Sequence, residues 1–153
     1  MKINHYTNDY FEEIILLMTD TIKTINSNDY SSDEIEAWIS NIDQRKLKTS
    51  LRNNTTLVAT INSKLVGFVD MDESGLLDHL FVHKDYQNQK IGRTLVSSIE
   101  KELHKKYNLT KFSTYASITA LDFFLKLDYK VIKENTVLLG SSSLNNYLLE
   151  KTI

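Results

Sequence analysis

The chain has 153 residues, 25% of them charged and 41% hydrophobic, with a formal net charge of −2. That length suits one domain with a full core, expected to span residues 1–153, and that charge lacks the basic excess of a nucleic-acid binder. The absence of cysteine excludes disulfides, thiolate metal ligands and a thiol nucleophile.

A reducing cytoplasm fits that composition. No basic-then-apolar leader opens the sequence, and no apolar run nears the ~18 residues of a membrane span, so a soluble cytoplasmic protein with no membrane partner is expected. Proline is absent, which leaves turns and helix ends to glycine, asparagine, aspartate and serine.

Lys2–His5 reads as a short strand. Phe11, Ile14, Ile15, Met18, Ile22 and Ile25 recur at helical spacing behind Thr7 or Asn8 as cap. Ser31 and Glu34 form a capping box for a helix carrying Ile35, Trp38 and Ile39. A second short helix from Asp43 uses Leu47 and Leu51 and stops at Asn53-Asn54. The pattern then turns to strands. Thr55–Ile61 and Lys64–Asp70 flank Asn62-Ser63, a two-residue hairpin signal, and Asp72–Gly75 turns into a third strand, Leu76–His83. A long helix follows, with Ile91, Leu95, Ile99, Leu103 and Tyr107 at four-residue steps. Lys111–Tyr115 is the next strand, Thr119–Leu127 a helix, and Tyr129–Leu139 with Leu144–Lys151 a closing pair. The strand–helix–strand step from Leu76 to Tyr115 calls for a right-handed parallel crossover. An α/β fold follows, its mixed, mostly antiparallel sheet flanked by helices on both faces.

Leu80–Leu95 is the most informative stretch: an apolar strand, a polar loop ending near a glycine, then a helix. The first amides of a helix lack partners and sit at the positive end of its dipole, so this junction is an anion site, with phosphates its usual occupants.

The element order and this loop resemble the GNAT superfamily of N-acetyltransferases. The family's central motif places Leu-x-Val at the end of the fourth strand and Gln/Arg-x-x-Gly-x-Gly/Ala at the start of the next helix. Leu80 and Val82 match the first part, and Gln87-Asn88-Gln89-Lys90-Ile91-Gly92 the second, with Lys90 at the first glycine position. Downstream, Ala120 to Tyr129 is similar to the family's Ala-x-x-Phe-Tyr-x-Lys-x-Gly-Phe block, with Phe124 for tyrosine, Asp128 for glycine and Tyr129 for phenylalanine. Asn28-Asp29-Tyr30-Ser31 and Ala37-Trp38 resemble a subgroup of small bacterial N-acetyltransferases.

The resemblance implies acetyl-CoA as acyl donor and a small-molecule or protein amine as acceptor; no pair among His5, His79, His83 and His104 has zinc-ligand spacing, so no metal is expected. The resemblance also implies that the amides of Gln89 to Thr94, including those of Ile91 and Gly92, hold the CoA pyrophosphate, with Gln87, Asn88, Lys90 and Arg93 around it. Phe81 and Val82 would pair with the pantetheine arm as a strand pairs with its neighbour, and Ser117 and Phe124 would form the opposite wall. Ser117 reads equally as an ordinary cap for the following helix.

Aminolysis of a thioester needs a neutral amine, yet an alkylamine resembles lysine, whose reference pKa is ~10.4. A proton acceptor is therefore required. Asp78 is the first candidate, in phase with Leu80 where several family members carry Glu or His; an ion pair with a nearby lysine or arginine is its alternative. Glu73 and Asp29 are runners-up. His79 faces away from Asp78 in a regular strand, although a bulge would change that. Phe124 lacks the hydroxyl that often reprotonates the leaving thiolate, which leaves Tyr115 or a water for that step. Asp29, Tyr30 and Trp38 are expected at the acceptor side, where Trp38 also reads as a core anchor. A rival reading is a CoA-binding sensor without catalysis; another keeps the enzyme and changes the acyl group. A homodimer through the terminal strands is compatible with the pattern.

Overall fold

The computed structural model describes residues 1–153. Seven strands form one sheet in the order β1-β2-β3-β4-β5-β7-β6: β1 Lys2–His5, β2 Thr55–Ile61, β3 Lys64–Met71, β4 Leu76–Val82, β5 Lys111–Ser117, β6 Lys130–Leu139 and β7 Ser142–Thr152. Neighbours are antiparallel except β4 and β5, the expected crossover pair. The helices are α1 Phe11–Thr24, α2 Ser32–Ser40, α3 Gln44–Asn53, α4 Ile91–Tyr107 and α5 Leu121–Leu125. None is long and apolar enough to cross a membrane.

Helices cover both faces of the sheet. On one face the α4 stripe of Ile91, Leu95, Ile99 and Leu103 is buried against Leu57, Val69, Met71, Phe112 and Leu149. On the other, Phe11, Ile14, Leu17 and Met18 of α1 join Leu47 and Leu51 of α3 against Val58 and Phe68. Tyr107, expected in the α4 stripe, is 39% exposed because the helix has run past the sheet edge, and Lys106 reaches over its ring.

Local chemistry explains most element ends. Ser31 and Glu34 form both halves of the capping box, and the Asp43 carboxylate accepts from the Arg45 and Lys46 amides. Asn62 and Ser63 both have positive φ, as a type I′ hairpin requires. The predicted first helix begins instead as a 3-10 turn at Asn8–Tyr10, and Thr7 gives it no side-chain bond. The predicted Thr119–Leu127 helix shrinks to α5, bounded by turns and by left-handed Asp128.

One feature of the sheet creates the site. β4 and β5 pair only at Leu76–Ser113 and Leu77–Thr114, although both strands continue. At the same point the β3–β4 register jumps: His79 faces Asp70 and Leu77 faces Met71, so Asp78 is an extra residue on β4. Such a bulge bends its strand and sharpens its twist. Beyond it the two strands diverge.

Candidate active site

A cleft of about 900 Å³ occupies the gap between β4 and β5. Its walls are Asp78 to Val82 on one side and Thr114 to Ser117 on the other. One end reaches the start of α4 and the other the underside of α1, α2 and α3.

At the α4 end, the Ile91, Gly92 and Arg93 amides donate to no group in the protein. Lys90, the N-cap, is left-handed at φ 64° and gives no side-chain cap, and Asn88 is left-handed as well. Alternating backbone hands turn successive N–H groups toward one concavity, which is what an anion needs. Lys90 and Arg93 are exposed and form none of the ion pairs of the molecule. Two small residues let this turn approach the sheet. A Cβ on Gly67 would lie 3.0 Å from the Phe81 carbonyl oxygen and 3.2 Å from Ile91, and one on Gly92 would lie 3.2 Å from the Phe123 ring.

The predicted cofactor residues fall into two groups. Phe81, Val82, Gln87, Asn88, Lys90, Ile91, Gly92, Arg93, Ser117 and Phe124 line the cleft, whereas Gln89 and Thr94 do not. Thr94 is already committed, because its amide and hydroxyl both donate to the Lys90 carbonyl. Gln87 Nε2 donates to the Val82 carbonyl at 2.6 Å, tying the loop to the end of β4. Ser117 Oγ accepts from the Ala120 amide at 3.1 Å, so it caps the turn before α5 while facing the cleft. Phe124 is 2% exposed, its ring edge-on to Phe123 and Tyr129.

At the middle of the cleft lies a polar cluster. Asp70 is fully buried. Its Oδ1 lies 2.8 Å from His79 Nδ1, and its Oδ2 accepts from Asn54 Nδ2 at 2.9 Å. The same Nδ2 group donates to Asp78 Oδ2 at 3.0 Å. The bulge thus brings Asp78 and His79 to one cluster, where a regular strand would have separated them. Asp78 is exposed as a residue, but the protein packed around its carboxyl partly desolvates it and, reinforced by the Asp70 charge, pushes its pKa above the usual carboxylate value; the Asn54 bond and His79 oppose the shift more weakly. For His79, burial acts downward, but the hydrogen bond and charge of Asp70, with the charge of Asp78, hold its pKa above the ordinary histidine value.

Tyr115, exposed on β5, faces the cleft opposite this cluster. Trp38 lines the α2 end of the cleft, its ring edge-on to Tyr30 at 5.6 Å. Tyr30 itself is 7% exposed and does not line the cleft. Its hydroxyl accepts from the Ile118 amide and donates to the Asn145 carbonyl, both at 2.9 Å, so it latches the start of α2 to the ends of β5 and β7. Asp29 is exposed outside the cleft. Asp70, Asn54 and Phe123 were not expected here. A lone aspartate inside the apolar run of β3 is a signal for the first; Asn54 reads in sequence only as a helix stop.

Comparison with known proteins agrees with this geometry. A model of the acetyltransferase (GNAT) domain matches residues 26–145, and the chain belongs to that family of N-acetyltransferases. It is similar to the uncharacterized N-acetyltransferase YafP of Escherichia coli (strain K12), 27% identical over 137 residues, covering 90% of this chain and 86% of the relative. Among solved structures, a GCN5-related N-acetyltransferase from Rhodopseudomonas palustris superposes with a TM-score of 0.94 at 28% identity, over 99% of this chain and 95% of that one. The PaiA N-acetyltransferase from Thermoplasma acidophilum, solved with coenzyme A, has the same fold, with a TM-score of 0.82 at 24% identity over the full length of both chains.

Proposed function

We propose that this chain moves an acetyl group from acetyl-CoA to a primary amine by direct attack within a ternary complex. The observation that carries the reading is the divergence of β4 from β5, which opens a continuous cleft between the unpartnered amides of α4 and the Asp78 cluster. A thioester arm with a diphosphate at one end and a reactive carbonyl at the other fits that arrangement. The CoA complex of the similarly folded PaiA enzyme supports it.

In this reading the amides of Ile91, Gly92 and Arg93 bind the pyrophosphate, with Lys90 and Arg93 adding charge. The arm lies along Phe81 and Val82, whose backbone edge has no strand beside it, and packs against Ser117 and Phe124. The amine lone pair attacks the thioester carbonyl carbon, the C–N bond forms, and the C–S pair leaves on sulfur. Asp78 takes a proton from the attacking nitrogen, and Tyr115 at the opposite wall supplies one to the thiolate. Trp38 walls the acceptor. No cysteine is available for an acyl-enzyme, and positioning in such a complex is worth ~7–11 kcal/mol in well-oriented cases.

Release of free thiol from acetyl-CoA across a library of amines tests the proposal, with turnover on at least one primary amine expected. Binding without turnover on any amine favours instead a CoA-binding sensor, a reading that the missing hydroxyl at Phe124 supports. Parallel reactions with propionyl- and succinyl-CoA fix the acyl group.

A further inference from the structure

We infer that His79, oriented by Asp70, is a second proton acceptor of this site and strips the incoming ammonium before Asp78 acts on the attacking amine. The inference rests on the acetyl-transfer reading above and adds a catalytic residue to it.

The reaction itself leaves room for two acceptors. An amine arriving as R–NH3+ and leaving as an amide gives up two protons, while the departing thiolate regains one. One proton must go before attack, because the ammonium nitrogen has no lone pair. The other goes as the C–N bond forms. A single carboxylate cannot take both without first discharging, whereas two adjacent acceptors can.

The geometry equips His79 for the first of these. Asp70 is an acceptor when ionised, so His79 Nδ1, 2.8 Å from it, carries the proton of that bond. That tautomer leaves the lone pair on Nε2, which has no partner in the protein, and His79 lines the cleft. Asp70 is fully buried, and a carboxylate sunk among apolar strands costs stability unless its bonds are satisfied. Here its two oxygens are taken by His79 and by Asn54, the residue that also grips Asp78. The buried charge therefore fixes one imidazole tautomer and stabilises the imidazolium formed when Nε2 gains a proton. Asp70 is a positioning residue; His79 is the group that meets substrate.

The charges around the imidazole favour this. Asp70 faces it from β3 and Asp78 from its own strand, both acidic. Asp72 adds to the field at Asp78. Across the cleft α3 presents Lys46, with Asp43 at its N-cap, and β5 presents Tyr115. The near field is negative and draws an ammonium toward Nε2. After proton transfer the neutral amine attacks the thioester carbonyl and its second proton passes to Asp78; at turnover one of the two protons restores the Tyr115 hydroxyl that protonated the thiolate, and the other leaves to solvent.

The test compares two acceptors in the thiol-release assay: 2-phenylethylamine, which is protonated at pH ~7, and methoxyamine, which is neutral there. His79→Asn keeps a donor where Nδ1 stood and removes Nε2. This variant is expected to lose about 100-fold in kcat/KM on 2-phenylethylamine, to regain it as pH rises, and to stay close to wild type on methoxyamine. Asp78→Asn is expected to lose rate on both. Equal loss on the two amines in His79→Asn, or no loss on 2-phenylethylamine, overturns the inference. Nitrogen NMR of the wild-type imidazole is independent of any variant: a neutral His79 protonated at Nε2 rather than Nδ1 overturns it too. Failure of the underlying reading has a different signature, no thiol release by wild type from any amine, and removes the inference with it.

Discussion

Asn54 Nδ2 donates to the Asp78 carboxylate at 3.0 Å, and this bond orients the carboxylate that lines the cleft at the point where β4 leaves β5. Asn54 follows α3, so the helix that roofs the acceptor end also sets the orientation of the proposed base. Asp78→Asn preserves an oxygen for Asn54 to bond while abolishing basicity. Its kcat/KM for an amine is expected to fall about 100-fold near pH 7, with acetyl-CoA affinity unchanged by calorimetry. In wild type the rate should rise with pH through a value above the ordinary carboxylate range, since partial desolvation and Asp70 raise the Asp78 pKa. A folded-state carboxyl pKa raised in this way opposes folding increasingly as pH rises from the unfolded value through the folded one, and fully above it, so Asp78→Asn should not lower Tm at neutral pH.

The two family glycines replaced in this chain, at Lys90 and Asp128, both sit at positive φ, 64° and 72°. Lysine is less at home there than aspartate, whose short polar side chain tolerates the left-handed region. Lys90→Gly is expected to stabilise by about 0.5–1 kcal/mol, and Asp128→Gly by less, measured by urea denaturation. Lys90→Gly should also weaken acetyl-CoA binding, increasingly so at low salt, because a cation beside the diphosphate is lost. A gain in stability with no change in affinity would separate the strain from the ligand role.

Tyr30→Phe removes a hydroxyl that serves the Ile118 amide and the Asn145 carbonyl at once. With both left unpaired beside a buried ring, a loss of about 1–3 kcal/mol is expected. For a chain of this length each kcal/mol lowers Tm by about 2–4 °C, which differential scanning calorimetry resolves. A silent Tyr30→Phe would show that α2 is held by Ile22, Ile35 and Leu144 alone.

The His79–Asp70 pair predicts a pH dependence of stability. The folded pKa of His79 lies above its ordinary value, because Asp70 and Asp78 outweigh burial. The charged pair therefore adds stability that is fully present below the unfolded value of ~6.5 and is lost as pH rises through the folded one. Thermal melts of wild type and His79→Asn between pH ~5.5 and ~8.5 should show a Tm gap that narrows with rising pH. A gap independent of pH would contradict the ion pair.

Much of this was legible from the chain. Periodicity located the buried faces of α1 and α4, and the capping box at Ser31 and the Asn62-Ser63 turn are side-chain chemistry that sequence states directly. The Gln87–Gly92 loop announced its strand-to-helix junction because its polar run and glycine interrupt two apolar patterns. The Asp70–Asn54–Asp78–His79 cluster was only partly visible. Its assembly depends on one extra residue in β4, and a register jump is a property of two paired strands rather than of either sequence alone. The same holds for Tyr30, which looked like a wall of the acceptor site and instead spends its hydroxyl on backbone from residues 118 and 145, a contact that no local pattern encodes.

In the proposed reading, free main-chain donors at the start of α4 hold the diphosphate of a CoA thioester. Titration calorimetry with acetyl-CoA, alongside acetyl-pantetheine, which keeps the thioester arm but lacks the diphosphate, measures that contribution directly. Saturable heat with acetyl-CoA and at least about tenfold weaker binding of acetyl-pantetheine, a difference of ~1.4 kcal/mol, is the predicted result. No heat with acetyl-CoA, or equal affinity for the two compounds, would contradict it.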